Sequence, residues 1–153
     1  MFFGEFSYKV DDKGRIALPP VFRQYLKEGV VMRMGAEKCM VAKSLTEFQR
    51  EAEFIRDSRF SPAAKRRLER ALFGKAVILS FDTQGRVNLP TNLKLYANIA
   101  TEAVVVGRGL SEFEIWSKKD WEEENAKAVA ELADILEELN DSQEEGGLIC
   151  CDE

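Results

Sequence analysis

The sequence predicts an α+β fold in which two pseudo-symmetric βαββ-type repeats form one β core, joined by a helical hairpin and followed by a C-terminal helix. The first supporting observation is a repeat: YKVDDKGRIALPPVFRQYL at 8–26 and LSFDTQGRVNLPTNLKLYA at 79–97 follow one pattern, 71 residues apart. The second is the alternation of apolar and polar residues beside the shared Gly-Arg, which is typical of β-strands. The third is the helical spacing of apolar residues between and after the two copies.

Each copy predicts a strand, a tight turn, a second strand, a helical turn and two further strands. A glycine suits a positive φ in the turn, and a proline ends the second strand. One copy is too short to bury both faces of its hairpins, so we expect the two copies to pair and share one core. The matched positions are Asp11 with Asp82, Gly14 with Gly85, Arg15 with Arg86, Ile16 with Val87, Leu18 with Leu89 and Pro19 with Pro90.

The other segments are predicted from helix signals. Ser44 and Ser117 stand at N-cap positions with an acidic residue three places on, and Pro62 suits the first position of a helix. A stripe of apolar residues over 128–139 indicates a further helix, too short to define a coiled coil. We therefore expect the first repeat at 5–47, the helical linker at 48–75, the second repeat at 76–120, the C-terminal helix at 121–140 and an acidic disordered tail at 141–153.

Composition favours a soluble protein of a reduced compartment and argues against several kinds of chemistry. The 153 residues include no histidine, which removes the commonest general base and metal ligand. The three cysteines have neither zinc spacing nor a disulfide pattern; we expect Cys39 to be an inert core residue and assign no role to Cys150 and Cys151. No signal peptide is predicted, and no apolar run reaches the roughly 18 residues that span a membrane. A cytoplasmic protein without membrane association is expected.

The net charge of −5 is unevenly distributed. Residues 1–121 carry 21 Lys and Arg against 15 Asp and Glu, a net charge of +6. Residues 122–153 carry one Lys against 12 acidic residues, a net charge of −11. A basic body with an acidic tail points to a polyanion partner for the body. The alternative is a solvated body with a tail that only adds solubility.

The two Gly-Arg turns are the candidate binding site. An Asp that opens such a turn accepts backbone N–H groups and holds it rigid, so the Arg has less entropy to lose on binding. Arg suits bidentate contact with phosphate or with a guanine edge. The candidate DNA-binding residues are Lys13 and Arg15 in the first turn, Gln84 and Arg86 in the second, and the flanking Lys9, Arg23 and Lys94. Those expected to shape the turns are Asp11, Gly14, Asp82 and Gly85. The alternative is a pair of ordinary hairpin turns with exposed arginines.

Three stretches resemble the MraZ family: MFFGEFSYKVDDKGRIALPPVFR, ERALFGKAVILSFDTQGRVNLP and VVVGRGLSEFEIWSKKDWE. The resemblance covers roughly residues 1–125 and implies two tandem repeats of the AbrB/SpoVT swapped-hairpin type. It further implies a nucleoid-associated bacterial transcriptional regulator. Such a protein binds repeated double-stranded DNA sites upstream of a division and cell-wall gene cluster, as a ring-shaped homo-oligomer. In the family, the two turns face the DNA; Gln84 departs from the basic residue that many such motifs carry. No cofactor, metal ion, small-molecule substrate or enzymatic activity is expected.

Two other classes of function stay open. An enzyme acting on a phosphorylated substrate would use Arg15 and Arg86 as anion clamps and Asp11 and Asp82 as acid–base groups or Mg²⁺ ligands. Against it, the chain has no phosphate-cradling glycine loop and no nucleophile motif. A structural or interaction protein would instead use the stripe at 128–139 to dock a partner helix or a neighbouring subunit. The simpler expectation for that stripe is packing on its own body.

The most basic stretch of the chain belongs to the predicted linker. Its cationic residues are Lys65, Arg66, Arg67 and Arg70. Because the opposite side of this helix carries the leucines needed for packing, we expect it to serve the fold rather than to read DNA. Ion pairs with glutamates at i,i+4 spacing, on the same or a neighbouring helix, are the expected partners of these cations.

Overall fold

The computed structural model describes residues 1–145, with the side chains of 144 and 145 left aside. Each half of the chain has two strands, a short helix, two more strands and a longer helical segment. The elements of the first half are β1 Glu5–Lys9, β2 Arg15–Ala17, α1 Pro20–Arg23, β3 Val30–Met34, β4 Met40–Lys43, α2 Leu45–Asp57 and α3 Pro62–Leu72. Those of the second half are β5 Val77–Leu79, β6 Arg86–Asn88, α4 Thr91–Tyr96, β7 Glu102–Gly107, β8 Glu112–Ser117 and α5 Lys118–Glu145. The predicted α+β class with two repeats and a C-terminal helix is confirmed.

The two copies exchange strands within one antiparallel sheet. Its six strands follow the order β1-β7-β8-β4-β3-β5. Strand β1 of the first copy pairs with β7 of the second, with Phe6 opposite Val105, and β5 of the second copy pairs with β3 of the first, with Val31 opposite Ile78. The strands that follow the turns, β2 and β6, form a separate antiparallel pair. Neither copy therefore has a complete sheet of its own.

The hydrophobic core joins side chains from both sheets and from the short helices α1 and α4. Phe22 of α1 is fully buried and lies with its ring centroid 5.1 Å from that of Phe2 and 5.1 Å from that of Phe113. Aromatic contacts of this kind contribute about 0.5–1.5 kcal/mol beyond burial. The alternation predicted after each turn is present, because Ile16 and Val87 both point into this core. Cys39 lies directly before strand β4 and is fully buried, as expected of a core residue.

Helices α2 and α3 form the predicted hairpin between the repeats. The Ser44 side chain accepts a hydrogen bond from the backbone N–H of Glu47, at 3.2 Å, so the predicted N-cap is present. Phe48 of α2 and Phe73 after α3 meet edge to face with centroids 5.5 Å apart. Glu51 fixes α2 to the sheet through ion pairs with Arg33 of β3, at 2.6 Å, and Lys43 of β4, at 2.8 Å.

The last helix is longer than its sequence predicts. α5 continues to Glu145, whereas the helix was expected to end at residue 140 and to give way to a disordered tail. No proline or glycine interrupts 141–145, so nothing local ends the helix there. The rest of the predicted tail, 146–153, lies outside the described residues. Residues 1–118 form one compact unit and the residues from 119 onward a second. Across 1–145, no helix combines the length and the apolar character needed to cross a membrane.

Candidate nucleic-acid interface

The first turn is held by one carboxylate. Asp11 Oδ1 accepts hydrogen bonds from the backbone N–H groups of Lys13, at 3.0 Å, and Arg15, at 2.8 Å, and Oδ2 accepts one from Arg15 Nε at 2.7 Å. Gly14 adopts φ +80° and its N–H donates to the Asp11 carbonyl at 3.0 Å. The backbone hydrogen bond from Arg15 is the main cause that lowers the pKa of Asp11. The carboxylate therefore stays ionised and holds Arg15 by its Nε.

The second turn repeats this arrangement. Asp82 Oδ1 accepts from the backbone N–H groups of Gln84, at 2.8 Å, and Arg86, at 2.9 Å, while Oδ2 accepts from Arg86 Nε at 3.0 Å. Gly85 has φ +73°. The pKa of Asp82 is lowered, above all by the backbone hydrogen bond from Arg86. Both predicted Asp residues thus shape their turns, and depressed pKa values make them poor proton donors at neutral pH.

The β2–β6 pair brings the two turns together. Arg15 lies opposite Asn88, and Ala17 lies opposite Arg86, in antiparallel register. Arg86 Nη1 lies 3.6 Å from Oδ2 of Asp11, so one carboxylate contacts the arginines of both turns. Both arginine side chains are about a third exposed, at 31% for Arg15 and 27% for Arg86. Nε of each arginine is occupied by its own Asp, and Nη1 of Arg86 also faces Asp11. The terminal nitrogens of Arg15 and Nη2 of Arg86 are therefore the atoms that can meet a ligand.

The flanking cations cross from one copy to the other. The sequence places Arg23 after the first turn and Lys94 after the second, but in the structure each lies against the other copy's turn. A Cβ on Gly85 would overlap Nη1 of Arg23, and a Cβ on Gly14 would lie 2.9 Å from Nζ of Lys94. Arg23 and Lys94 therefore stay candidates for the DNA-facing surface, each beside the turn of the other copy. Arg23 Nε is buried without a hydrogen-bond partner.

The remaining candidates differ in their surroundings. Lys13 and Gln84 are exposed at the tips of their turns, where neither side chain is tied to a carboxylate of the described residues. Lys9 is exposed on β1, opposite Glu102 of β7. It lines a cavity of about 200 Å³ together with Glu102 and Lys118, away from the turn tips. The turns thus gather Lys13, Arg15, Arg23, Arg86 and Lys94.

A cluster of three residues whose side chains are of the kinds that bind metal ions lies away from the turns, around the β3–β4 hairpin. Glu37, Cys39 and Glu114 place one ligand atom each within 4.8 Å of one another. The Cys39 thiol donates to Glu114 at 3.6 Å, and Trp116 Nε1 donates to the other oxygen of Glu114 at 3.0 Å. Burial first, and then the charge of Glu114, raise the pKa of the Cys39 thiol. Both carboxylate oxygens of Glu114 thus have a hydrogen-bond partner within the protein. The raised pKa keeps the Cys39 thiol protonated.

Two copies that exchange strands and present paired Asp–Arg turns define a swapped-hairpin protein with tandem repeats. A family profile described as "MraZ protein, putative antitoxin-like" matches twice, at residues 1–71 and 72–142. A protein named "Transcriptional regulator MraZ" from Dehalococcoides mccartyi strain BAV1 is 42% identical over 142 residues, covering 92% of this chain and 99% of that protein. One of the same name from strain 195 is 41% identical over 140 residues, covering 91% and 98%. The chain belongs to the MraZ family.

Proposed function

We propose that this protein is a DNA-binding transcriptional regulator whose two Asp-x-x-x-Arg turns contact double-stranded DNA. The observation that carries the proposal is the pairing of Arg15 and Arg86 on one side of the molecule, each held by an ionised Asp. Held in this way, each guanidinium loses less entropy on binding than a free side chain would. The names of the relatives, transcriptional regulators, support the same role.

The charge of the folded unit supports a polyanion partner. Residues 1–118 contain 20 Lys and Arg against 14 Asp and Glu, a net charge of +6. If Lys13, Arg15 and Arg86 each meet one phosphate, each engaged subunit adds about −2 to −3 to the slope of log K against log salt. The two terminal nitrogens of Arg15 suit bidentate contact with phosphate or with O6 and N7 of guanine, and Nη2 of Arg86 suits a single contact of the same kind. Arg23 and the amide of Gln84 complete the proposed contact set at the turns, whereas Lys9 lies away from the tips and is not part of it.

A single subunit offers few contacts, so we propose that affinity comes from multiplicity. A homo-oligomeric ring would present the same pair of turns at regular intervals, and repeated promoter sites would engage several subunits at once. Binding at one repeat raises the effective concentration of the next subunit at its own site. We place the target upstream of a division and cell-wall gene cluster, and the protein in the cytoplasm at the nucleoid.

The test is a matched pair of double variants. Arg15→Ala/Arg86→Ala removes both guanidinium groups, whereas Lys27→Ala/Lys38→Ala removes two exposed cations elsewhere. Each protein is titrated with the DNA upstream of its own gene at several salt concentrations. We expect the arginine variant to lose at least about tenfold in affinity and to flatten the salt slope by about 2, with the lysine variant near wild type. Equal behaviour of the two variants would overturn the site.

A further inference from the structure

Most of the positive charge of the folded unit lies in the segment that contains helix α3. Residues 58–75 carry six Lys and Arg against one Glu, a net charge of +5. Residues 1–118 as a whole carry +6, so the rest of that unit, including both turns, carries only +1. Cations clustered along one helix are the electrostatic footprint of a polyanion partner. The charge that indicated such a partner therefore belongs mainly to α3 and its flanks.

Helix α3 separates its charged side from its apolar side. Arg66, Arg67 and Arg70 are exposed, and on a helix of 3.6 residues per turn they fall within an arc of about 100°. Leu68 and Leu72 lie on the opposite side and are partly buried. The three guanidinium groups are thus displayed together on a helix that its other side fixes to the protein.

The exposed arginines of α3 differ from those of the neighbouring helix α2 in having no ion-pair partner. In α2, Arg50 pairs with Glu47 at 2.5 Å and Arg56 pairs with Asp57 at 3.0 Å. The sequence led us to expect similar pairs in α3, and that expectation is wrong: none of its three exposed arginines forms an ion pair within residues 1–145. These guanidinium groups can meet an external anion without first breaking an internal contact.

The spacing of the arginines fits the phosphate backbone of a duplex. Arg66 and Arg70 are four residues apart, so their positions along the helix axis differ by about 6 Å. Phosphates of one DNA strand follow each other at about 3.4 Å along the duplex axis, so two steps cover about 7 Å. One face of α3 can therefore place two guanidinium groups on phosphates of the same strand. Contacts of this kind position a protein on DNA without reading a base.

We propose that Arg66, Arg67 and Arg70 form a second nucleic-acid contact, which binds the phosphate backbone of double-stranded DNA independently of sequence. Phosphate contacts supply essentially all non-specific binding, whereas contacts with base edges supply specificity. The turns then select the site, and α3 holds the protein on whatever DNA lies against it. The inference rests on the proposed DNA partner but not on the assignment of the turns.

A duplex of random sequence tests this contact. Arg66→Gln/Arg67→Gln/Arg70→Gln removes the three charges and keeps good helix formers in their place. Titrated at several salt concentrations, this variant is expected to lose at least about tenfold in affinity and to flatten the slope of log K against log salt by about 2 to 3. Arg66→Lys/Arg67→Lys/Arg70→Lys keeps the charges and should stay near wild type, because lysine also binds phosphate as a point charge.

Two controls separate a local contact from net charge and from the fold. Lys27→Gln/Lys38→Gln/Lys119→Gln removes three exposed cations elsewhere, and it is expected to bind random DNA nearly as wild type does. Circular dichroism and light scattering are expected to show the same helix content and the same mass in solution for every variant. A mass that changes in the glutamine variant of α3 would assign its arginines to a contact between subunits and overturn the proposal.

Promoter DNA distinguishes this site from the turns. The glutamine variant of α3 should weaken promoter and random DNA by the same factor, whereas Arg15→Ala/Arg86→Ala should lower the ratio of the two affinities. Binding of random DNA equal to that of the lysine control would show that α3 does not contact DNA, whatever the turns do. Loss of binding to vesicles of anionic lipid, with DNA binding unchanged, would assign α3 to a membrane surface. Either of these two results overturns the proposal.

Discussion

The two Asp–Arg turns share one hydrogen-bond scheme but differ in the charges around them. Each has an Asp that accepts two backbone N–H groups and one arginine Nε. The first turn carries Lys13 and receives the flexible Lys94, whereas the second carries Gln84 and receives Arg23 across its glycine. The two copies therefore share the Asp and Arg that form the hydrogen bonds of the turn, and they differ in the residues that the turn exposes to a ligand. The turn whose tip carries Gln84 in place of a lysine receives an arginine from the other copy.

The largest expected difference between the turns is in their glycines. Gly14→Ala places an Ala in left-handed backbone, at a cost of about 1–2 kcal/mol, and meets the end of the Lys94 side chain and, at 3.3 Å, Oδ1 of Asn88. Gly85→Ala has the same backbone cost and also overlaps the guanidinium of Arg23, which adds about 1–3 kcal/mol. Urea unfolding should therefore show a clearly greater loss of stability for Gly85→Ala. Adding Arg23→Ala to it should recover part of that loss; equal losses in the two single variants would contradict the exchange of cations.

The second difference is in how many arginines each Asp holds. Among the arginines of the described residues, Asp11 contacts both Arg15 and Arg86, whereas Asp82 contacts Arg86 alone. Removing a carboxylate also raises the net charge and hence non-specific binding, so the informative quantity is the ratio of affinities for promoter and random DNA. We expect Asp11→Ala to lower that ratio by about tenfold and Asp82→Ala by about threefold, from the extra side-chain entropy to be lost on binding.

Asp12→Ala is the control for that experiment. Asp12 is exposed beside Asp11, and its loss changes the net charge equally without removing a hydrogen bond of the turn. Its affinity ratio should stay near that of wild type. A fall in Asp12→Ala as large as in Asp11→Ala would mean that charge, and not the positioning of arginine, accounts for the effect.

The turns could be predicted from the sequence because their causes are local. An Asp four residues before an Arg, with glycine between, determines the hydrogen bonds without help from the rest of the chain. The Ser44 N-cap and the alternation around Ile16 are local in the same sense. The crossing of Arg23 and Lys94 is not local, because it follows from the exchange of strands between copies. The continuation of α5 past residue 140 was missed because acidic composition suggested disorder although no helix breaker is present before residue 146.

Exchanging the tip residues would sharpen the comparison of charges. Gln84→Lys gives the second turn the cation of the first, and Lys13→Gln removes it from the first. If the tips meet phosphates, Gln84→Lys should steepen the salt slope by about 0.9 and Lys13→Gln should flatten it by the same amount. The chain with both changes should return to the wild-type slope. If neither substitution changes the salt slope, the tips of the turns lie away from the DNA backbone.

The smallest expected effect is the response of the turns to acid. The pKa values of Asp11 and Asp82 are lowered in the folded protein, mainly by backbone hydrogen bonds from Arg15 and Arg86 respectively. Their stabilising contribution is therefore complete above the unfolded value of about 3.9 and is lost as the pH falls through the lower folded values. Wild type and Asp11→Asn/Asp82→Asn should differ in melting temperature at pH 6 and converge as the pH falls below the lowered pKa values of the folded protein. A gap that stays constant across this range would show that the carboxylates do not titrate with their turns. If Asp11→Asn alone reproduces the gap of the double variant, most of the effect belongs to the carboxylate that both arginines share.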